Sequence, residues 1–209
     1  MNIQTIANLS LFPIGVVCTI NAIRAFYMYS LSRNDILFIL GFAMSSIAMA
    51  VFMSNIGDAH LVPYNTQWAR YMCSSSGALC IFLSSIVKSH EQLGQLKRGQ
   101  VILGAVAVMV IALTPILPPF ASPLIPATLN NIRTVIYGAA LIRYASLYIL
   151  KESRFSLIMS FAFLLLVTGF ILVTPQLLHP DPTTATLNII ASFVRVVGYS
   201  LLLVAYSFG

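Results

Sequence analysis

Apolar residues fill seven long stretches of this chain, and short polar segments separate them. The stretches run over residues 7–30, 36–55, 67–87, 100–117, 129–150, 155–177 and 186–207. Each is close to the ~20 apolar residues that one helix needs to cross the hydrocarbon core of a bilayer. The pattern predicts helices, because a helix satisfies its own backbone hydrogen bonds where no water is present. A transmembrane barrel would need apolar and polar residues in alternation, and runs such as "FAFLLLVTGFILV" do not alternate. The expected fold is an all-α integral membrane protein: a single seven-helix transmembrane domain over residues 1–209.

The connections fall into two alternating kinds. "SLSRND", "KSHEQLGQLKRG" and "KESR" carry Arg33, Lys88, Lys97, Arg98, Lys151 and Arg154. "SNIGDAHLVPYNT", "PPFASPLIPA" and "LHPDPTTA" hold no lysine or arginine. Basic loops stay on the cytoplasmic side. The N-terminus is therefore expected outside and the C-terminus inside a multi-pass protein of the plasma membrane. Pro118, Pro119, Pro123, Pro126, Pro180 and Pro182 crowd two of the outer loops. They either stiffen a roof over a cavity or stop helices at the interface.

Composition agrees with this picture. Hydrophobic residues make up 59% of the 209, charged residues 8%, and mean hydropathy is +0.93. A soluble domain carries roughly a quarter charged residues. The net charge of +6 is scattered, so no basic patch for nucleic acid is formed. Cys18, Cys73 and Cys80 lie inside apolar runs without CxxC spacing, which favours packing over disulfides or zinc. The opening "MNIQTIANLSLFPIGVV" lacks a basic leader and a clear cleavage site, so it reads as a retained first span.

The third, fifth and seventh stretches share a local pattern. Each places an arginine in its outer half (Arg70, Arg133, Arg195) and a glycine soon after (Gly77, Gly138, Gly198). "ATLN" opens both the fifth and the seventh, at 127–130 and 185–188. Small residues let membrane helices approach closely. On that ground these three helices are expected to form an inner ring, with the fourth and sixth facing lipid.

Arg195 lies about nine residues past Thr186, roughly 13 Å into its helix at 1.5 Å per residue. An arginine at such depth costs about 2.5 kcal/mol or more unless it is paired or wetted. The acids are Asp35, Asp58, Glu91, Glu152 and Asp181, and only Asp58 and Asp181 fall on the outer side. That surplus of cations suits an anionic ligand held by forked guanidinium contacts. The candidate ligand-binding residues are Arg70, Arg133 and Arg195, with Trp68, Tyr71, Tyr137 and Tyr199 as walls and Tyr64 nearby. The competing reading ties the arginines to carbonyls and to Asn8, Asn130 or Asn188.

Catalytic signatures (HExxH, GxSxG, a P-loop, paired intramembrane carboxylates) are missing, and no enzyme is expected. The seventh stretch has no lysine for a retinal Schiff base. His60 and His179 fall outside and His90 inside, without helical pairing, so no metal or cofactor is expected. Haem or pigment is the less favoured alternative.

With outside-N threading, "QWARYM" opening the third stretch and "SRFSLIMSFAFLLLVTG" opening the sixth, the chain resembles the seven-helix membrane sensor regions of bacterial and archaeal histidine kinases. That resemblance implies a prokaryotic receptor for signal transduction. Its output domain is not in this chain, so its partner would be another membrane or cytoplasmic signalling protein. Two other readings stand beside it: an accessory subunit of a redox or photosynthetic membrane complex, and a small-solute transporter.

Overall fold

The computed structural model describes residues 10–58, 61–87 and 90–208. Seven helices occupy them: α1 Phe12–Ser32, α2 Asp35–Asp58, α3 Gln67–Ile86, α4 His90–Leu113, α5 Leu124–Lys151, α6 Arg154–Leu178 and α7 Pro182–Phe208. There is no strand among the described residues. Among the described residues, five segments are long and apolar enough to cross a membrane: Phe12–Ser32, Asp35–Asp58, Glu91–Leu113, Arg154–Leu178 and Pro182–Tyr206. The α3 and α5 helices are diluted by the Ser74–Ser76 run with Arg70, and by Asn130, Asn131, Arg133 and Arg143. Pro123 stands at the cap of α5 and Pro182 opens α7, where a missing N–H is harmless.

The chain forms two compact units, Cys18–Ala121 and Met1–Val17 with Ser122–Gly209. In the first, α2 packs along α3, and α4 lies against both. A Cβ on Gly77 would stand 2.8 Å from the Ala43 carbonyl, so glycine is needed for that approach. Gln100 is fully buried and donates through Nε2 to the Ile39 carbonyl at 3.3 Å. Lys97 Nζ joins the start of α4 to the start of α2, at 2.6 Å from Asp35 Oδ1 and 2.9 Å from the Tyr29 hydroxyl. Val101, Ile102, Val108 and Met109 on α4 are exposed, as a lipid-facing helix requires.

In the second unit α6 packs along both α5 and α7. Met159, Ala162, Phe163 and Leu166 are fully buried there. The sixth helix, expected to face lipid, instead buries this face between α5 and α7 and leaves only the face of Phe161, Leu164 and Ile171 exposed. The α7 residue Gly198 would bring a Cβ to 3.2 Å from the Ala162 carbonyl and 3.0 Å from Leu166. Aromatic rings run along this unit from Tyr206 through Phe155, Tyr144, Phe163 and Tyr137 to Phe170, with successive centroids 5.4–6.1 Å apart.

The chain carries one supersecondary pattern twice. Arg33 and Glu152 both end a helix with positive φ, 57° and 49°, and their N–H groups bond back to Tyr29 and Tyr148. Asn34 and Ser153 then cap the next helix through their side-chain oxygens. All these pairs are separated by 119 positions, as are Ile23/Ile142, Arg24/Arg143, Leu31/Leu150, Ile39/Ile158, Phe42/Phe161 and Ala43/Ala162. The glycine contacts extend the match: Gly77 meets Ala43 as Gly198 meets Ala162. Hence α1–α3 corresponds to α5–α7, and α4 links the two in the sequence. Of the likeness expected among α3, α5 and α7, the match of α3 with α7 is kept, whereas α5 pairs with α1. Cys18, Cys73 and Cys80 are free and buried, as packing residues should be.

Candidate functional site

Arg195 lies at the midpoint of α7, thirteen residues from either end. Its aliphatic stem crosses Gly169 on α6, where any Cβ would collide with it. The stem delivers the guanidinium to the next residue of α6, Phe170, with the guanidinium carbon 5.3 Å from the ring centroid. Nε donates to the Ala191 carbonyl at 3.2 Å, and Nη2 to Ser192 Oγ at 3.1 Å.

Arg133 reaches the same ring from α5, at 5.1 Å. Its Nη2 donates to Asn130 Oδ1 at 3.1 Å, one helical turn back. Asn130 is itself fixed: its Nδ2 donates to the Phe170 carbonyl at 2.9 Å and to Thr174 Oγ1 at 3.2 Å. Thr174 in turn donates to Asn131 Oδ1 at 3.2 Å. Both arginines are only 8% exposed. The two charges can be no further apart than the sum of their distances to one ring. Cation–π attraction holds each in place, while like charges in a low-dielectric interior repel.

Beneath the pair, Tyr137 stacks on Phe170 with centroids 5.4 Å apart, and its hydroxyl meets that of Tyr199 at 3.1 Å. Four of the expected residues, Arg133, Arg195, Tyr137 and Tyr199, are therefore brought together by α5, α6 and α7. Phe170, which joins them, carries no periodic or charge signal within "GFILV". The Asn130 contact expected for an arginine is present; Asn8 and His60 lie outside the described residues.

Arg70, Trp68 and Tyr71 belong to the other unit and are described there. Trp68 Nε1 donates to the Pro118 carbonyl at 2.9 Å and its ring meets Phe120 edge-on at 4.6 Å. Tyr71 is buried with its centroid 5.6 Å from Phe120. These two fasten the proline-rich segment to α3. Arg70 sits 4.0 Å from Asp58, both half-buried. Its counterpart at the Gly77/Gly198 register is Ala191, not Arg195. His179 ends α6, its N–H bonded to the Pro175 carbonyl at 2.8 Å.

The repeat supplies an internal comparison. At the 119-residue offset, Asn130, Arg133, Tyr137 and Phe170 match Leu11, Ile14, Cys18 and Val51. At the offset set by the two glycines, Arg195 and Tyr199 match Ser74 and Ala78. The same helical pattern is thus built once with small or apolar residues and once with an asparagine, two arginines, two tyrosines and a phenylalanine. The arrangement is not demanded by the fold. Compared with models of protein families, with curated proteins and with solved structures, the chain matches none.

Proposed function

We propose that this protein is a seven-helix receptor-like membrane protein, N-terminus outside and C-terminus in the cytoplasm, whose α5–α7 unit holds a small anionic ligand. One observation carries the reading: Arg133 and Arg195 converge on Phe170 at positions that the first repeat fills with Ile14 and Ser74. An anion bridging two guanidinium groups turns their repulsion into attraction, and forked contacts suit a carboxylate or phosphate. The ring ladder from Phe170 to Tyr206 offers a packed route from the site toward the C-terminal end of α7. A separate membrane or cytoplasmic protein would receive the signal.

The test is calorimetric titration of the purified protein in nanodiscs with a panel of small carboxylates and phosphates. Saturable binding to the native protein, lost in Arg195→Leu while helical content is kept, supports the reading. Equal binding by the variant, or none by the native protein, opposes it.

The repeat favours a second reading, a small-solute transporter. Parallel repeats related by an axis along the membrane normal recur among transporters. That reading requires uptake of the bound solute into liposomes, which a receptor does not show.

A further inference from the structure

A cavity of about 440 Å³ opens between the end of α2 and the start of α3, within the Cys18–Ala121 unit. Asp58, Val62, Tyr64, Asn65 and Arg70 line it. Its volume falls in the range of about 300–1,000 Å³ usual for small-molecule sites.

The charges in this cavity are placed against the helix dipoles. Asp58 is the last residue of α2, at the negative pole, and Arg70 stands in the first turn of α3, at the positive pole. Each position favours a charge of the opposite sign. The two groups offset one another only loosely, at 4.0 Å, beyond hydrogen-bond distance. The Arg70 guanidinium makes no hydrogen bond among the described residues, and Asp58 accepts one, from Ser54 Oγ at 3.1 Å. Thr66 does not cap α3 with its side chain. Asn65 uses Oδ1 on the Gln67 N–H, which leaves its buried Nδ2 without a partner among the described residues. Gly57 packs directly under Thr66, where a Cβ would displace the Thr66 hydroxyl. The two helix ends thus meet around a loose pair, with the Arg70 guanidinium carbon 5.5 Å from the Tyr71 ring centre.

We infer that this cavity binds a small zwitterion, with its anionic oxygens on Arg70 and the start of α3 and its ammonium on Asp58 and the end of α2. Val62 and Tyr64 form the wall for an apolar substituent. The shared chemistry is an oxyanion and an ammonium a few bonds apart, as in a free α-amino acid or a phosphoethanolamine head group. This site stands apart from the Arg133–Arg195 pair and does not depend on it.

The experiment uses the full chain in phosphatidylcholine nanodiscs, titrated singly with the free α-amino acids and with O-phosphoethanolamine. Leucinamide and 4-methylpentanoate serve as probes with one charge each. Saturable binding of at least one zwitterion is expected, about tenfold or more weaker for the singly charged probes. Asp58→Asn and Arg70→Lys should each weaken it, while Arg195→Leu leaves it unchanged. Binding of amino acids identifies a soluble ligand; binding of phosphoethanolamine alone identifies a lipid head group. No zwitterion binding by the native protein, or binding untouched by both Asp58→Asn and Arg70→Lys, overturns the inference. Loss of zwitterion binding in Arg195→Leu would also overturn it, by tying the effect to the other site.

Discussion

Arg133 holds its guanidinium carbon 5.1 Å from the centre of the Phe170 ring, in the interior of the α5–α7 unit. Arg195 shares that ring, so a single apolar side chain positions two cations. Neither arginine is set by its own helix alone.

Phe170→Leu should therefore disturb both arginines while conserving most of the core volume. Each cation–π contact contributes about 0.5–2 kcal/mol. Anion affinity should fall about tenfold or more, and Phe170→Tyr should retain most of it. Calorimetric titration of the two variants separates these outcomes.

Gly169→Ala tests placement without removing charge. The added methyl meets the stem of Arg195 and approaches the Ala191 carbonyl. Overpacking of this kind costs about 1–3 kcal/mol. A lowered melting temperature should accompany weaker anion binding. If binding is lost only in Arg195→Leu and stays intact here, the path of the stem across α6 is not what aims the guanidinium.

Much of the architecture was legible from the residues. The seven apolar stretches became seven helices, and the basic "SRND" and "KESR" segments became tight helix–helix turns. Of the seven residues expected to share one pocket, Arg133, Arg195, Tyr137 and Tyr199 meet around Phe170, while Arg70, Trp68 and Tyr71 belong to the other unit. Phe170 was not, since one aromatic in an apolar run has no distinguishing neighbour. The position of α6 was hidden for a related reason: Ala162 and Gly169 permit its close packing against α7, yet they are diluted among Leu and Phe. "ATLN" suggested that α5 and α7 are equivalent through four adjacent letters. The relation of α1 and α2 to α5 and α6 is spread from Ile23 to Ala43 and shows only once Arg33 and Glu152 share a backbone conformation.

The repeated turn makes its own prediction. Glu152 has φ of 49°, a region that glycine enters freely and β-branched residues resist. Glu152→Val should lower the melting temperature clearly, whereas Glu152→Gly should leave it level or raise it. The same ordering is expected for Arg33→Val and Arg33→Gly. Thermal unfolding in detergent checks all four.

The threading can be read by chemical labelling. Cys18, Cys73 and Cys80 are buried and give a low background. In intact cells Pro63→Cys and Asp181→Cys should react with an impermeant maleimide. Ser32→Cys and Lys151→Cys should react only after permeabilisation. The reverse pattern would invert the orientation.

The most direct measurement of the central claim is a crystal structure of the protein grown in a lipidic mesophase with a bound carboxylate or phosphate. The account predicts non-protein density within hydrogen-bond reach of both the Arg133 and Arg195 guanidinium groups. A structure in which the anion binds elsewhere, with protein groups alone completing the contacts of both arginines, would contradict it.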